Sequence, residues 1–191
     1  MRWSVVLRTH IRAGADGRSA RRRKAVRVDG SAARGRVRTK EFHFPLSVEW
    51  IEGRRVAAHV DGKPEIEIAT PPEFRGTDPS TWSPEDFLVA AAASCLAVTF
   101  AGLAERGELS YTRLKVDGDG VVGARPDGSF GFTRLALRLG VEVDPADVAL
   151  ARRLAEDAEA TCLVTASLDL PVETEIDVRP EQARYTAASP T

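Results

Sequence analysis

The sequence predicts an α+β domain built around one buried helix, and three observations predict it. Residues 87–104 carry no charged side chain, in a stretch with a clear helical entry and exit. The segments on either side alternate apolar and polar residues with period two, in the order three strands, helix, two strands, helix, strand. The charge balance also changes abruptly near residue 40. Residues 1–40 hold 13 Lys and Arg against two Asp, a net +11, whereas residues 41–191 carry a net −12. Only the second part shows periodicity, so the domain is placed at 41–180, with a flexible tail at 181–191.

Residues 1–40 are rich in Arg, Ala and Gly and include the run Arg21-Arg22-Arg23-Lys24. They read as a disordered basic N-terminal extension. The apolar stretch from Trp3 to Leu7 is too short for the core of a signal peptide. A basic arm on nucleic acid and a targeting extension both fit this composition. The plainer reading, a dispensable or mis-started N-terminus, is preferred, and nucleic acid is not expected as a partner.

The elements follow in order. Leu46, Val48 and Trp50 alternate with Ser47 and Glu49, as in a half-buried strand. Glu52-Gly53 starts a turn, Arg54 to Val60 forms a second strand, and Asp61-Gly62 is a hairpin signal. Ile66 and Ile68 alternate with Glu65 and Glu67 in a third strand, and 71–81 is loop by composition. The central helix spans 82–106. Ser83 is a good N-cap, Pro84 a good first residue, Asp86 completes a capping box, and Gly107 is placed as the C′ residue. Strands follow at 114–122 and 130–143, with Leu135, Leu137, Leu139, Val141 and Val143 on one face. Asp117-Gly118-Asp119-Gly120 hints at a calcium loop but has no acid at the twelfth position, so a turn or kink is expected. Asp144-Pro145 opens a helix whose stripe is Val148, Ala151, Ala155, Ala158 and Cys162, and 172–178 forms a last strand.

An uncharged run of this length also raises the question of a membrane span. Only seven of its 18 residues are Phe, Leu or Val, and most of the others are Ala, Gly, Ser and Thr, which suit close helix contact. No membrane association is expected. The helix is apolar on nearly every face, so it needs cover all round. A second copy packed antiparallel would supply it, and a homodimer is expected.

Two cysteines in 191 residues make neither a disulfide scaffold nor a zinc site, and they suit a reducing cytoplasm. Cys95 and Cys162 both lie on helix faces that meet the core, so they can meet each other. A working thiol needs a lowered pKa and hence a nearby cation. Cys95 lies about 17 Å along its helix, too far for the N-terminal dipole to help much. Arg54 and Arg55 are the best placed cations, and alternation lets only one face inward. His10, His43 and His59 are scattered and give no support to a Cys-His hydrolase. No metal-ligand cluster or cofactor motif is present in the sequence.

The stretch Ser83-Pro84-Glu85-Asp86-Phe87-Leu88, followed by four alanines and Ser94-Cys95-Leu96, resembles the central helix of the OsmC/Ohr family of thiol-dependent hydroperoxide reductases. Cys162-Leu163-Val164-Thr165 is similar to that family's Cys-Pro-Val-Ser segment, with Leu163 where the family has Pro. Gly53-Arg54-Arg55-Val56 resembles the turn that carries the family's arginine. The resemblance implies an OsmC-like fold, with antiparallel sheets around a long central helix in an intertwined homodimer. It implies Cys95 as the peroxidatic thiolate, Cys162 as the resolving thiol, Arg54 as the residue that holds the thiolate, and Glu85 as its orienting carboxylate. Organic hydroperoxides would be the substrates, with Trp82, Phe87 and Phe100 forming an apolar pocket. An external dithiol, often a lipoylated protein in this family, would be the reductant, and no cofactor is implied. The alternative is a non-catalytic dimeric binding or structural protein of the same fold.

Overall fold

The computed structural model describes residues 40–181, and the expected basic extension and C-terminal tail otherwise lie outside the described residues. Six strands and three α-helices follow one another as β1 (Ser47–Glu52), β2 (Arg55–His59), β3 (Ile66–Ala69), α1 (Pro84–Arg106), β4 (Tyr111–Ala124), β5 (Phe130–Val143), α2 (Val148–Thr161), α3 (Leu163–Ala166) and β6 (Val172–Pro180). Short 3-10 turns at Pro72–Phe74 and Pro145–Asp147 complete the chain. The order of elements is the one expected, with α3 added. The architecture is α+β, with two three-stranded sheets ordered β1-β2-β3 and β4-β5-β6.

The core lies between the second sheet and the helices. Strand β5 turns Leu135, Leu137, Leu139, Val141 and Val143 inward, all at most 3% exposed. Helix α1 meets them with Ala92, Leu96, Phe100 and Ala104, one residue per turn on a single stripe. Helix α2 adds Ala151, Ala155 and Ala158 from the stripe read from the sequence, with Val148 partly buried, and the buried Cys162 follows at its C-cap. Because β6 runs parallel to β5, the chain must cross over between them, and α2 is that crossover. The outer face of this sheet carries exposed ion pairs, including Arg138 with Glu175 at 2.9 Å and Lys115 with Asp117 at 2.6 Å.

Asp117-Gly118-Asp119-Gly120 is neither loop nor kink. It lies inside β4, with Gly118 opposite Leu137 and Gly120 opposite Leu135. A Cβ built on Gly118 would stand 2.7 Å from Val89 Cγ1, and one on Gly120 would stand 2.8 Å from Val89 Cγ2. The two glycines therefore let α1 lie directly on the strand, while the two aspartates point outward.

Helix α1 begins as read from the sequence. The Ser83 hydroxyl accepts the Asp86 N–H at 3.1 Å, and the Asp86 carboxylate accepts the Ser83 N–H at 2.8 Å. Its end differs. Gly107 has φ −87° and caps without the left-handed turn, which falls instead on Glu108 at φ 52°. By length and composition α1 could cross a membrane. In this fold its buried stripe is the spine of the core.

The first sheet departs from expectation in burial. All of β1 is exposed rather than half-buried. Register places Val48, Ala58 and Ile66 in one row, and Trp50, Val56 and Ile68 in the next, so one face is apolar throughout. Yet Trp50 is 71% exposed and Val48 54% exposed. The β1–β3 sheet is tied to the entry of α1 by the Ala69 N–H donating to the Trp82 carbonyl at 2.9 Å.

Candidate functional site

The capping box sets where α1 starts, and so fixes the position of Cys95, its twelfth residue. Cys95 stands one position before Leu96 on the flank of the buried stripe and is half-buried. Cys162 arrives from the other side. Helix α2 ends on Glu159-Ala160-Thr161, and Cys162 has extended backbone (φ −64°, ψ 110°) between α2 and α3. Its carbonyl accepts the Ala166 N–H at 3.1 Å and the Thr165 hydroxyl at 3.2 Å, which anchors the backbone that carries the thiol. Cys162 is 1% exposed.

The two cysteines meet, although Cys162 does so from the extended cap between α2 and α3 and not from a helix face as expected. Burial pushes the Cys95 thiol up. It is outweighed by the backbone N–H of Val164, the Cys162 thiol, the Thr99 hydroxyl and the backbone N–H of Leu163, so Cys95 lies below the ordinary thiol range. No cation is among these partners. The requirement read from the sequence, that an arginine must supply the lowering, is therefore not met within one chain. Hydrogen-bond donors act in its place.

Arg54 and Glu85 stand elsewhere. Arg54 sits at the β1–β2 turn, exposed, with Nη1 donating to the Phe74 carbonyl at 2.9 Å. Arg55 is in β2 and is held by Glu67 and Asp78, each at 2.8 Å. Asp78 is held well below the usual carboxylate range, by the Ser80 and Thr81 hydroxyls first and by Arg55 last. Ion pairing, not strand alternation, separates the two: Arg54 lies in the turn before β2, Arg55 is committed to carboxylates, and Arg54 has no carboxylate within ion-pair reach among the described residues. Arg54, Arg55, Thr70 and Arg75 line an open hollow of about 480 Å³. Arg75, which the sequence reading left in a loop, has a left-handed backbone at φ 66°. A non-glycine residue in that conformation is strained, and strain of this kind gathers at functional sites.

Glu85, the second residue of α1, lines a neighbouring hollow of about 560 Å³ with Pro72, Phe74 and Thr81. Its Oε2 is buried and has no hydrogen-bond partner in the chain. Ten residues separate it from Cys95, which is about 15 Å along the helix and about 280° around it. One chain thus brings the two thiols together and places Arg54 and Glu85 in two hollows against the 71–81 loop, neither of them lined by a thiol.

The aromatic residues divide as well. Trp82 packs on Phe87 with ring centroids 5.5 Å apart, at the mouth of α1. Phe100 is fully buried against Tyr111, 5.7 Å away, and is a core residue rather than part of a shared pocket. The residue missed in the sequence is Thr99. Its signal was a hydroxyl one turn beyond Cys95 in a helix otherwise made almost wholly of apolar side chains.

Residues 76–177 match the family model described as OsmC-like protein. Among curated proteins, the uncharacterized protein YmaD of Bacillus subtilis is 28% identical over 142 residues, covering 72% of this chain and 93% of its own length. Among solved structures, an OsmC-like protein of unknown function from Vibrio cholerae superposes with TM-score 0.65 at 19% identity, covering 71% of this chain and 99% of its own. An organic hydroperoxide resistance protein from Elizabethkingia anophelis does so with TM-score 0.58 at 19% identity, covering 74% of this chain and 99% of its own. At these identities the superpositions establish the shared fold.

Proposed function

Because the chain belongs to the family of OsmC-like proteins, we propose that it is a thiol-dependent peroxidase reducing organic hydroperoxides to alcohols. The observation that carries this reading is the meeting of Cys95 and Cys162, with the Cys95 thiol held below its ordinary range. The shared fold with the organic hydroperoxide resistance protein of Elizabethkingia anophelis supports the substrate class.

In this reading the Cys95 thiolate attacks the terminal peroxide oxygen. An S–O bond forms, the O–O bond breaks, and the alkoxide takes up a proton to leave as alcohol. The Cys95 sulfenic acid then condenses with the Cys162 thiol, giving a disulfide and one water. An external dithiol, such as a lipoylated protein, reduces the disulfide and is itself oxidised. A reducing cytoplasm is the compartment in which that cycle can be reset. No cofactor enters the cycle.

Arg54 and Glu85 enter through a second copy of the chain. Two α1 helices crossing antiparallel near Ala90 bring Glu85 of one level with Cys95 of the other. Three features support that partner. Helix α1 buries only one stripe within its own chain. The apolar face of the first sheet lies open. Glu85 Oε2 is buried without a partner, as a carboxylate awaiting a guanidinium would be. Arg54 then holds the thiolate and helps protonate the leaving oxygen, and Arg75 in the same hollow is the natural comparison.

The test is a thiol count. One equivalent of cumene hydroperoxide is expected to consume both free thiols and yield one alcohol. Two thiols remaining after exposure would reduce the protein to a non-catalytic member of the fold.

A further inference from the structure

The turn from Pro71 to Gly76 is closed by the two bonds of a Schellman motif. The Gly76 N–H donates to the Pro71 carbonyl at 2.9 Å, and the Arg75 N–H donates to the Pro72 carbonyl at 3.0 Å. That pattern makes Arg75 the C′ residue, with left-handed backbone at φ 66° and ψ 31°. Glycine is the residue this position favours, because it carries no Cβ to clash. The turn has no room to relax. A Cβ on Gly76 would stand 1.7 Å from the Thr70 carbonyl oxygen, so the backbone is pressed against the chain just past β3. On the other side, Arg54 Nη1 donates to the Phe74 carbonyl at 2.9 Å. The chain thus keeps a long cationic side chain where glycine would sit with less strain.

The fold gains no contact from that side chain in return. Arg75 is exposed, and its guanidinium makes no hydrogen bond or ion pair among the described residues. It lines the hollow of about 480 Å³ together with Glu52, Arg54, Arg55 and Asp78. Arg55 and Asp78 are paired with each other at 2.8 Å. Glu52 enters no ion pair among the described residues and is the one carboxylate left to compete for Arg75. A guanidinium is a planar fork of donors that fits a carboxylate with two parallel bonds. The hollow falls within the range of about 300–1,000 Å³ that takes small organic molecules, which leaves space for the body of a ligand beside its charge.

We propose that Arg75 is a specificity-determining residue that binds the carboxylate of an organic acid in this hollow. The purpose of the site rests on the peroxidase reading: the acid is the hydroperoxide itself, and Arg75 holds its carboxylate while Arg54 serves the Cys95 thiolate of a second copy.

Two matched pairs of probes test this on the full chain. Turnover with dithiothreitol compares cumene hydroperoxide carrying a para-carboxylate with its methyl ester. Calorimetry compares the binding of para-isopropylbenzoate with that of its methyl ester. The wild type is expected to favour the acid of each pair. In Arg75→Gly that preference is expected to fall about threefold to tenfold, as for an exposed charge-assisted pair. Its Tm is expected to be equal or higher, because relief of the left-handed backbone outweighs the added freedom of the unfolded chain. Arg75→Lys keeps the charge but not the fork and is expected to retain part of the preference. Glu52→Gln is expected to increase it by removing the competing carboxylate. An Arg75→Gly chain with the wild-type preference for para-isopropylbenzoate would overturn the proposal. So would a Tm below that of the wild type, since the guanidinium would then be serving the fold. The peroxidase reading fails separately: a wild type that consumes neither peroxide, yet binds para-isopropylbenzoate through Arg75, loses that reading and keeps the site.

Discussion

A thiol in a helix of small apolar residues is ordinarily a small hydrophobe, and what separates Cys95 from that default is the set of donors around it. Its pKa is depressed on folding, so the sign of the linkage is fixed. The stabilisation is fully present above the unfolded thiol's pKa and is lost as pH falls through the lower folded value. The Tm of the reduced protein, relative to Cys95→Ser, is therefore expected to rise with pH across that window; a flat difference would contradict it. For chemistry, Cys95→Ser is expected to abolish peroxide consumption, whereas Cys162→Ser permits one turnover and leaves a sulfenic acid on Cys95 that dimedone traps. Full activity of both variants with a dithiol reductant would remove the assignment. The arginines differ by their partners. Arg54→Ala is expected to slow Cys95 oxidation tenfold or more without loss of stability. Arg55→Ala instead releases Glu67 and Asp78 and lowers Tm by a few degrees, with a smaller effect on rate. Reversed outcomes would exchange their roles.

At the scale of elements, most of the fold was legible. The β5 alternation, the α2 stripe and the Ser83 capping box are local signals, each fixed by residues within two turns of one another, and each is found where it was read. The Asp-Gly-Asp-Gly stretch was misread because its meaning is not local. Those glycines answer to Val89, about thirty residues away, and composition alone shows them as turn residues. Gly118→Ala tests this. Although Ala suits a strand better than Gly does, the added methyl meets Val89, and a loss of about 1–3 kcal/mol is expected. Val89→Ala in the same chain should recover part of it, a coupling measured by a double-mutant cycle. A neutral or stabilising Gly118→Ala would show that the helix has room to lift. The candidate site was legible by half. The thiol pair follows from helix periodicity, but the donors that lower Cys95 come from α3, a single turn whose presence no periodicity announces.

For the whole molecule, the decisive feature is what one chain leaves uncovered. Trp50, Val48 and Ile66 lie exposed on one apolar face of the first sheet, and α1 shows Val98 on its outer side. A homodimer is expected, and light scattering is expected to find no folded monomer. Glu85→Ala and Cys95→Ser proteins, each inactive alone, are expected to regain part of the activity when unfolded and refolded together, because a mixed dimer holds one intact shared site. A folded, active monomer would end this account. Mixed dimers with no activity would end the shared site alone and leave the dimer.

The backbone donors at Leu163 and Val164 tie the redox state to hydrogen exchange. While Cys95 is a thiolate, its charge favours the two amide N–H groups that help to lower its pKa. Once Cys95 and Cys162 are joined, the anion is gone, and those amides lose the charge that held them. Deuterium uptake at these two amides should therefore be slow in the reduced protein and fast in the disulfide form. The short helix beside the thiols would report, without any added label, whether the thiol pair is reduced or joined.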